Sequence, residues 1–389
     1  MFIYIFIFVF LLLSSYLGDY RHIRLRYNTT YILAMIILIL FAGLRNRVGC
    51  DSIGYENDFN ELQITLKNSD GIKGIFTINQ LFWTLTMYLV KITTGSFVIF
   101  QLLHAIVLNI LLFRFVKRIT TYCFTAITLI FVLCWWNLSF EVLRESICVA
   151  LFVNATLDLN EKNYAKYIIY AVIAAYYHWF AFVPFIIQPL VILINKRLVY
   201  TSFIGLFIFV LFFVDTQLIN SALILLSGEM NSEASKRMIS YTMDYSHYGF
   251  VNINPIGLTK LLLLDVLLPI MVVRNCRNSK YSKLLGTMCF LYAFFSIMAT
   301  KIVISGRFCN YYIVPLCVAS AIALYNNKNY WTNKFIGGLL FLNILFSVRN
   351  FYLPDPENPN KSIGYDCRYL PYTTIFQDPD PIREKYYGK

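Results

Sequence analysis

From its first residues the chain alternates long apolar runs with short polar joints. MFIYIFIFVFLLLSSYL (1–17) gives way to a joint carrying Arg21, Arg24 and Arg26, and YILAMIILILFAGL (31–44) follows. A helix needs roughly 20 mostly apolar residues to cross about 30 Å of hydrocarbon, and tilt or local thinning accommodates shorter ones. Runs that meet this condition predict crossings at 1–17, 28–44, 96–113, 122–140, 143–159, 164–178, 179–194, 198–215, 255–273, 284–300, 307–324 and 334–349. The pattern is that of an all-α, polytopic integral membrane bundle of about 12 transmembrane helices. A further run, FTINQLFWTLTMYLVKIT (76–93), is helical in periodicity. A crossing there would invert the charge pattern downstream, so it is expected to lie in the interface or re-enter, with a short spanning helix as the alternative. No matched pair of broken helices betrays an internal repeat.

Lysines and arginines orient the bundle. Alternate joints carry Arg21/Arg24/Arg26, Arg114/Lys117/Arg118, Lys162/Lys166, Lys196/Arg197, Arg274/Arg277/Lys280/Lys283 and Lys328/Lys334, which makes those joints cytoplasmic and turns both termini outward. Residues 1–349 then form one transmembrane domain with long outer loops at 45–95 and 228–254, and 350–389 form an outer C-terminal tail rich in proline, asparagine and tyrosine. The tail reads as an ordered or partly ordered loop over the outer face, a disordered terminus being the alternative. Residues 1–17 have no basic start and no small-x-small cleavage site, so they read as a retained helix rather than a signal peptide.

Composition sharpens this picture. The chain is 58% hydrophobic and 14% charged, with a mean hydropathy of +0.61, whereas about a quarter of a soluble domain is charged. The net charge of +12 sits mostly in the joints and reads as a topology signal, not as a nucleic-acid surface. Aromatic residues make up 17%, more than interfacial belts need, which leaves rings to stack on a flat or ring-shaped ligand. There is no Walker phosphate loop, no HExxH and no CxxC, so neither ATP hydrolysis nor a zinc site has support. SGEMNSE (227–233) is too sparse in carboxylates for calcium, and no metal or other cofactor is implied. Most of the nine cysteines lie in or beside apolar runs, where they act as small hydrophobes. Cys50 and Cys367 fall on the outer side, where a disulfide would tie the first loop to the tail, with Cys309 as a competitor.

With the topology set, ionisable groups collect on the outer side. Arg45, Arg47 and Asp51 open the first loop; Glu141, Arg144 and Glu145 stand at the turn near 142; His178 holds the next outer turn; Lys301 and Arg307 flank another; Asp244 and His247 lie in the second long loop. Each has an ordinary structural reading. Arg144 beside Glu145 suits a helix-start charge pair, Lys301 and Arg47 suit interfacial anchors, and His178 in YYHWFAF suits a hydrogen-bonded helix end. Together, charges drawn from five outer turns mark a site, because charge near membrane depth is costly and faces a cavity or a partner. A cationic pocket there suits a lipid pyrophosphate, which arginine's planar fork grips bidentately, and neighbouring rings suit sugars.

The run Arg45-x-x-Val48-Gly49-x-Asp51-x-x-x-Tyr55-x-x-x-Phe59 resembles the signature of EpsG-like membrane proteins, a branch of the Wzy-type polysaccharide (O-antigen) polymerases. RESICVA from Arg144, HWFA from His178 and RFCNYY, which places Tyr311 and Tyr312 after Arg307, extend the resemblance over most of the chain. Two positions depart from the pattern: Cys50, where threonine is common, and Glu145, where glutamine is frequent. The resemblance implies a fold akin to lipid-dependent, GT-C-like glycosyltransferases in the bacterial inner membrane, with the active site facing the periplasm. It implies a metal-independent enzyme that moves a glycan from an undecaprenyl-pyrophosphate carrier onto a second lipid-linked repeat unit, making O-antigen, capsule or exopolysaccharide. A membrane protein that regulates chain length is a candidate partner.

On this reading Arg144 and Arg307 take the pyrophosphate with help from Arg45 or Arg47, and His178 or Asp51 takes the acceptor proton. Tyr55, Glu145 and Tyr311 complete the substrate contacts. Two rivals stand beside it. A flippase or transporter of the same oligosaccharide predicts charges along a path reaching both leaflets. A membrane acyltransferase predicts a histidine deeper in the bundle and no need for several arginines.

Overall fold

The computed structural model describes residues 2–23, 27–62, 80–193, 255–276, 279–301, 305–326, 330–355 and 363–388. The predicted crossing at 198–215, the outer loop 228–254 with Asp244 and His247, and residues 76–79 of the interfacial run lie outside the described residues. The helices are α1 (Phe2–Tyr20), α2 (Tyr27–Gly43), α3 (Cys50–Glu61), α4 (Leu81–Thr94), α5 (Phe97–Ile119), α6 (Cys123–Trp135), α7 (Leu143–Asn160), α8 (Tyr164–Tyr177), α9 (Phe182–Leu193), α10 (Pro255–Asn275), α11 (Ser282–Ala299), α12 (Ser305–Asn326), α13 (Tyr330–Phe351) and α14 (Pro381–Tyr387). Among the described residues there is no named strand, and six helices are long and apolar enough to cross a membrane: α1, α5, α10, α11, α12 and α13.

Each predicted crossing that falls on described residues coincides with a helix. Helix α5 runs past its predicted end because Lys117 and Arg118 occupy its last turn, where cations complement the exposed carbonyls. The run at 76–93 appears as α4, reversed through Gly95 at φ +66° into α5 and packed on α5 and α8. At 1.5 Å per residue its length is about 21 Å, too short to span the hydrocarbon.

Helix α7 is the centre of the bundle. From Leu143 to Asp158 every residue except Arg144 is buried, and α5, α8, α9 and α12 surround it. A helix enclosed on all sides must satisfy its polar groups internally. Asn154 accordingly donates to the carbonyls of Leu111 and Ala150, both at 2.9 Å. The bundle's outer surface is apolar instead: Ile99, Leu103, Val107 and Ile110 of α5, and Phe182, Ile186 and Leu190 of α9, form exposed stripes at helical spacing. Such surfaces suit lipid tails.

The two ends of the bundle differ. At one end Asp19 accepts from the Thr125 N–H at 2.7 Å and its hydroxyl at 2.9 Å, and Arg118 meets Glu161 at 2.9 Å. The other end carries the α2–α3 loop, the α6–α7 junction, the α8–α9 turn, the start of α12 and residues 363–388 of the tail. The tail is ordered there: the Tyr4 hydroxyl donates to the Tyr369 carbonyl at 2.7 Å and the Tyr372 hydroxyl to the Phe41 carbonyl at 2.7 Å. Cys50 and Cys367 are not joined by a disulfide, so the tie between loop and tail is made by hydrogen bonds and ion pairs.

Candidate functional site

The first loop enters α3 through Gly49, whose φ of +97° favours glycine. A side chain there has no room either, since a Cβ would stand 2.5 Å from the Phe140 carbonyl oxygen. This close approach brings the start of α3 onto Glu141, which is buried. Its carboxylate accepts the N–H groups of Cys50 at 3.2 Å and Asp51 at 3.0 Å, two of the four donors that a helix start leaves unpaired. At the other end of α3 the Lys91 ammonium donates to the carbonyls of Phe59, Asn60 and Leu62 at 2.7, 2.7 and 2.6 Å. An anion at the start and a cation at the end both complement the helix dipole. The helix is thereby fixed with Tyr55 and Phe59 buried and Asp51 exposed in its first turn.

The chain leaves α6 through two π-helical turns, Phe131–Trp135 and Asn137–Glu141, and restarts as α7 at Leu143. Wide turns of this kind re-aim the following residues and recur at functional sites. Arg144 and Glu145 point to different partners. Arg144 bonds the Gln80 side-chain oxygen and lies 5.1 Å from the Tyr55 ring centroid. Glu145 is buried and accepts from Asn310 Nδ2 at 3.1 Å, while Asn310 in turn accepts from Asn137 at 3.3 Å. The helix-start ion pair between these neighbours is therefore absent among the described residues.

His178 stands in the turn between α8 and the short Trp179–Ala181 helix, 7% exposed. Its buried Nδ1 has no hydrogen-bond partner, and neither has the buried hydroxyl of Tyr311 on α12. Burial, then the facing charges of Arg144 and Arg307, hold the imidazole below its ordinary range and keep it neutral. Arg307 also acts electrostatically on Tyr55, Glu145 and Tyr311. Burial pushes the Tyr55 phenol up to about 12, so it remains a neutral hydrogen-bonding group. Arg144, Arg307, His178, Glu145, Tyr55 and Tyr311 thus belong to one cluster drawn from α3, α7, the α8–α9 turn and α12.

Arg45 and Arg47 stand apart from it. Arg45 is 1% exposed and turned into the protein. It donates to the carbonyls of Ala42 and, at 3.1 Å, Val48, reaches the Ser52 hydroxyl at 3.2 Å, and lies 4.9 Å from the Phe140 ring centroid. Arg47 meets Glu56 at 3.3 Å and Glu384 of the tail at 3.1 Å. Both arginines are occupied by protein groups.

In the sequence Glu141 stands among the outer charges with no evident role, and no motif there singles out Gln80, Lys91, Asn310, Arg368 or Arg383. Only Arg368 and Arg383 carried a signal, as cations in a tail otherwise rich in proline and tyrosine. Among the described residues no group of three His, Cys, Asp or Glu side chains could hold a metal ion.

Residues 28–374 match the EpsG family, an interval that contains every residue of the cluster. No curated protein and no solved structure matches.

Proposed function

We propose, from the premise that the chain belongs to the EpsG family and is a membrane protein of polysaccharide biosynthesis, that it is a polysaccharide polymerase of the bacterial inner membrane. Its donor is a glycan on an undecaprenyl-pyrophosphate carrier, and its acceptor is a second lipid-linked repeat unit at the periplasmic face. The observation that carries this reading is the pair of arginines, Arg144 and Arg307, bearing on a neutral His178 whose buried Nδ1 is unpartnered.

In the proposed step the acceptor hydroxyl attacks the anomeric carbon of the donor glycan. The bond from that carbon to the carrier pyrophosphate breaks, and the bonding electrons leave with the pyrophosphate. Arg144 and Arg307 stabilise the charge that develops on the leaving group. His178 takes the acceptor proton, for which a neutral imidazole is required. Asp51, exposed at the first turn of α3, contacts the acceptor sugar, and Tyr55 and Tyr311 line the path. Arg45 is assigned to ordering the loop rather than to pyrophosphate, because its donors are spent on carbonyls and Ser52.

The test is a gel of surface polysaccharide from cells deleted for the gene and complemented with wild type or Arg144→Ala at matched membrane levels. Polymerase action predicts a ladder with wild type and a single repeat unit with Arg144→Ala, a loss of about 10²-fold or more in chain extension. Intact ladders with Arg144→Ala would overturn the pyrophosphate assignment. Complete loss of surface glycan on deletion, with lipid-linked units trapped inside, would instead identify a flippase.

A further inference from the structure

The first loop is held by tail residues on both sides of position 374, where the family match ends. Asn46 donates its N–H to the Thr373 carbonyl at 2.8 Å, and the Thr373 hydroxyl returns a bond to the Asn46 carbonyl at 2.7 Å. Farther on, Ile375 N–H reaches the Leu44 carbonyl at 3.0 Å and Asn46 Nδ2 reaches the Gln377 carbonyl at 2.7 Å. Two buried arginines then lock the arrangement.

Arg383 is 0% exposed. Its guanidinium donates from Nε to the Cys367 carbonyl at 3.1 Å, from Nη1 to the Arg47 carbonyl at 3.2 Å and the Thr373 hydroxyl at 3.4 Å, and from Nη2 to the Pro371 carbonyl at 2.7 Å. These acceptors are all neutral, so the cation's desolvation is offset by geometry rather than by an ion pair within hydrogen-bond range. One of them belongs to Arg47, whose φ of +52° is an unfavourable conformation for a non-glycine residue and persists where the surroundings enforce it. On the same short helix, Glu384 meets the Arg47 side chain at 3.1 Å.

Arg368 fixes the next stretch. It clasps the buried Asp355 through two bonds of 2.6 and 2.7 Å, approaches Glu141 at 3.9 Å, and offers its carbonyl to the Gly49 N–H at 2.9 Å. Glu141 takes the N–H groups of Cys50 and Asp51. The backbone from 47 to 51 is therefore held by the chain Arg383, Arg368 and Glu141, and Glu141 lies three residues before Arg144.

We propose that Arg383, acting through Arg47 and together with the Arg368–Glu141 pair, is a positioning residue that sets the acceptor-binding loop against the arginine cluster. The proposal rests on the polymerase reading for its kinetic consequence but not for its structural one. A lysine at 383 would keep the charge and lose the fan of donors, since an ammonium cannot reach four oxygens spread around a planar group.

The experiment uses the full-length protein in membranes from the deletion strain, carrying Cys309→Ser and Cys367→Ser so that Cys50 is the one cysteine not buried among the described residues. Wild type, Arg383→Gln, Arg383→Lys and the milder Glu384→Gln are compared at equal membrane levels. Labelling of Cys50 by a membrane-impermeant maleimide reports loop order. Polymer formation from lipid-linked repeat units extracted from the deletion strain reports function.

The expected result is labelling about 10-fold or more faster in Arg383→Gln, with a smaller rise in Glu384→Gln and partial recovery in Arg383→Lys. The unit concentration for half-maximal polymerisation rises about 10-fold while the saturating rate changes by less than about 3-fold, the signature of lost binding geometry rather than lost chemistry. Unchanged Cys50 labelling in Arg383→Gln overturns the proposal, as does a fall in saturating rate with no change in half-maximal concentration. If wild type makes no polymer while Arg383→Gln still accelerates labelling, the clamp stands and the polymerase reading fails.

Discussion

Replacing Gly49 by alanine tests the geometry of the loop with a single methyl group. A non-glycine residue at φ +97° costs about 1–3 kcal/mol of backbone strain. The added Cβ would meet the Phe140 carbonyl oxygen at 2.5 Å and its carbon at 3.1 Å, and both atoms are backbone, so the contact cannot be relieved by a side-chain rotation. Restoring ordinary contact requires the loop to retreat by about 1 Å, since carbon–heavy-atom contacts sit near 3.5 Å. A retreat of that size stretches the Gly49 N–H bond to the Arg368 carbonyl, now 2.9 Å, and the Cys50 and Asp51 bonds to Glu141, now 3.2 and 3.0 Å. Loss of one neutral bond and weakening of two to a carboxylate contribute about 2–4 kcal/mol more. The local penalty of about 3–7 kcal/mol is enough to release the start of α3 while leaving the bundle intact. Gly54→Ala is the matched control: it lies in the same helix, nothing stands within 4 Å of its Cβ position, and alanine should stabilise the helix by about 0.5–1 kcal/mol. Gly49→Ala should reach the membrane in normal amounts, label rapidly at Cys50 and lose about 10²-fold in polymer formation, the penalty expected of a displacement near 1 Å. If Gly49→Ala and Gly54→Ala behave alike in both assays, the reasoning about this turn is wrong.

Two other perturbations probe the same helix. Lys91→Met keeps the apolar stem but removes the donors to Phe59, Asn60 and Leu62; it should destabilise the end of α3 locally by about 1–3 kcal/mol, read as about 5–150-fold faster amide exchange there, and unchanged exchange would contradict the assigned cap. Glu56 is held above its ordinary 4.5, first by burial, with Glu384 adding and Arg47 opposing. The folded loop keeps this proton where the unfolded loop has lost it, so the group's stabilising contribution is present at low pH and is lost as pH rises through the raised value. The ratio of Cys50 labelling in wild type to that in Glu56→Gln should accordingly increase as pH is taken upward from 4.5, and a flat ratio would exclude the effect.

The helices were legible because their burial is in lipid as much as in protein. Runs such as 2–13 are apolar on every face, and no interior contact is needed to recognise them. Sorting of charges to one end was legible for the same reason, since Lys and Arg report which joints avoid translocation. That sorting grouped Arg144, Arg307 and His178 as candidates.

What escaped the sequence was the division of labour among arginines. Arg45 and Arg144 look alike in a string, yet one is consumed by the carbonyls of Ala42 and Val48 and the other faces Tyr55 and the cluster. The difference arises from how the loop folds back at Gly49, a long-range contact with Phe140 that no local pattern encodes. Glu141 was seen as one more outer charge because its partners, the N–H groups of Cys50 and Asp51, are backbone atoms and leave no trace in residue types. The tail's role was hidden likewise: most of its bonds to the loop run to carbonyls.

The clasp between the loop and residues 363–388 also orders events in time. The loop at 44–51 leaves the ribosome and is set at the membrane surface long before the tail that holds it has been made. During that interval the bundle helices can pack, yet Arg47 has neither Arg383 nor Glu384 to hold it. A chain halted after Arg307 but before the tail would be embedded in the membrane with its arginine cluster present and its loop unset. Setting of the loop is thereby deferred until synthesis has passed residues 363–388.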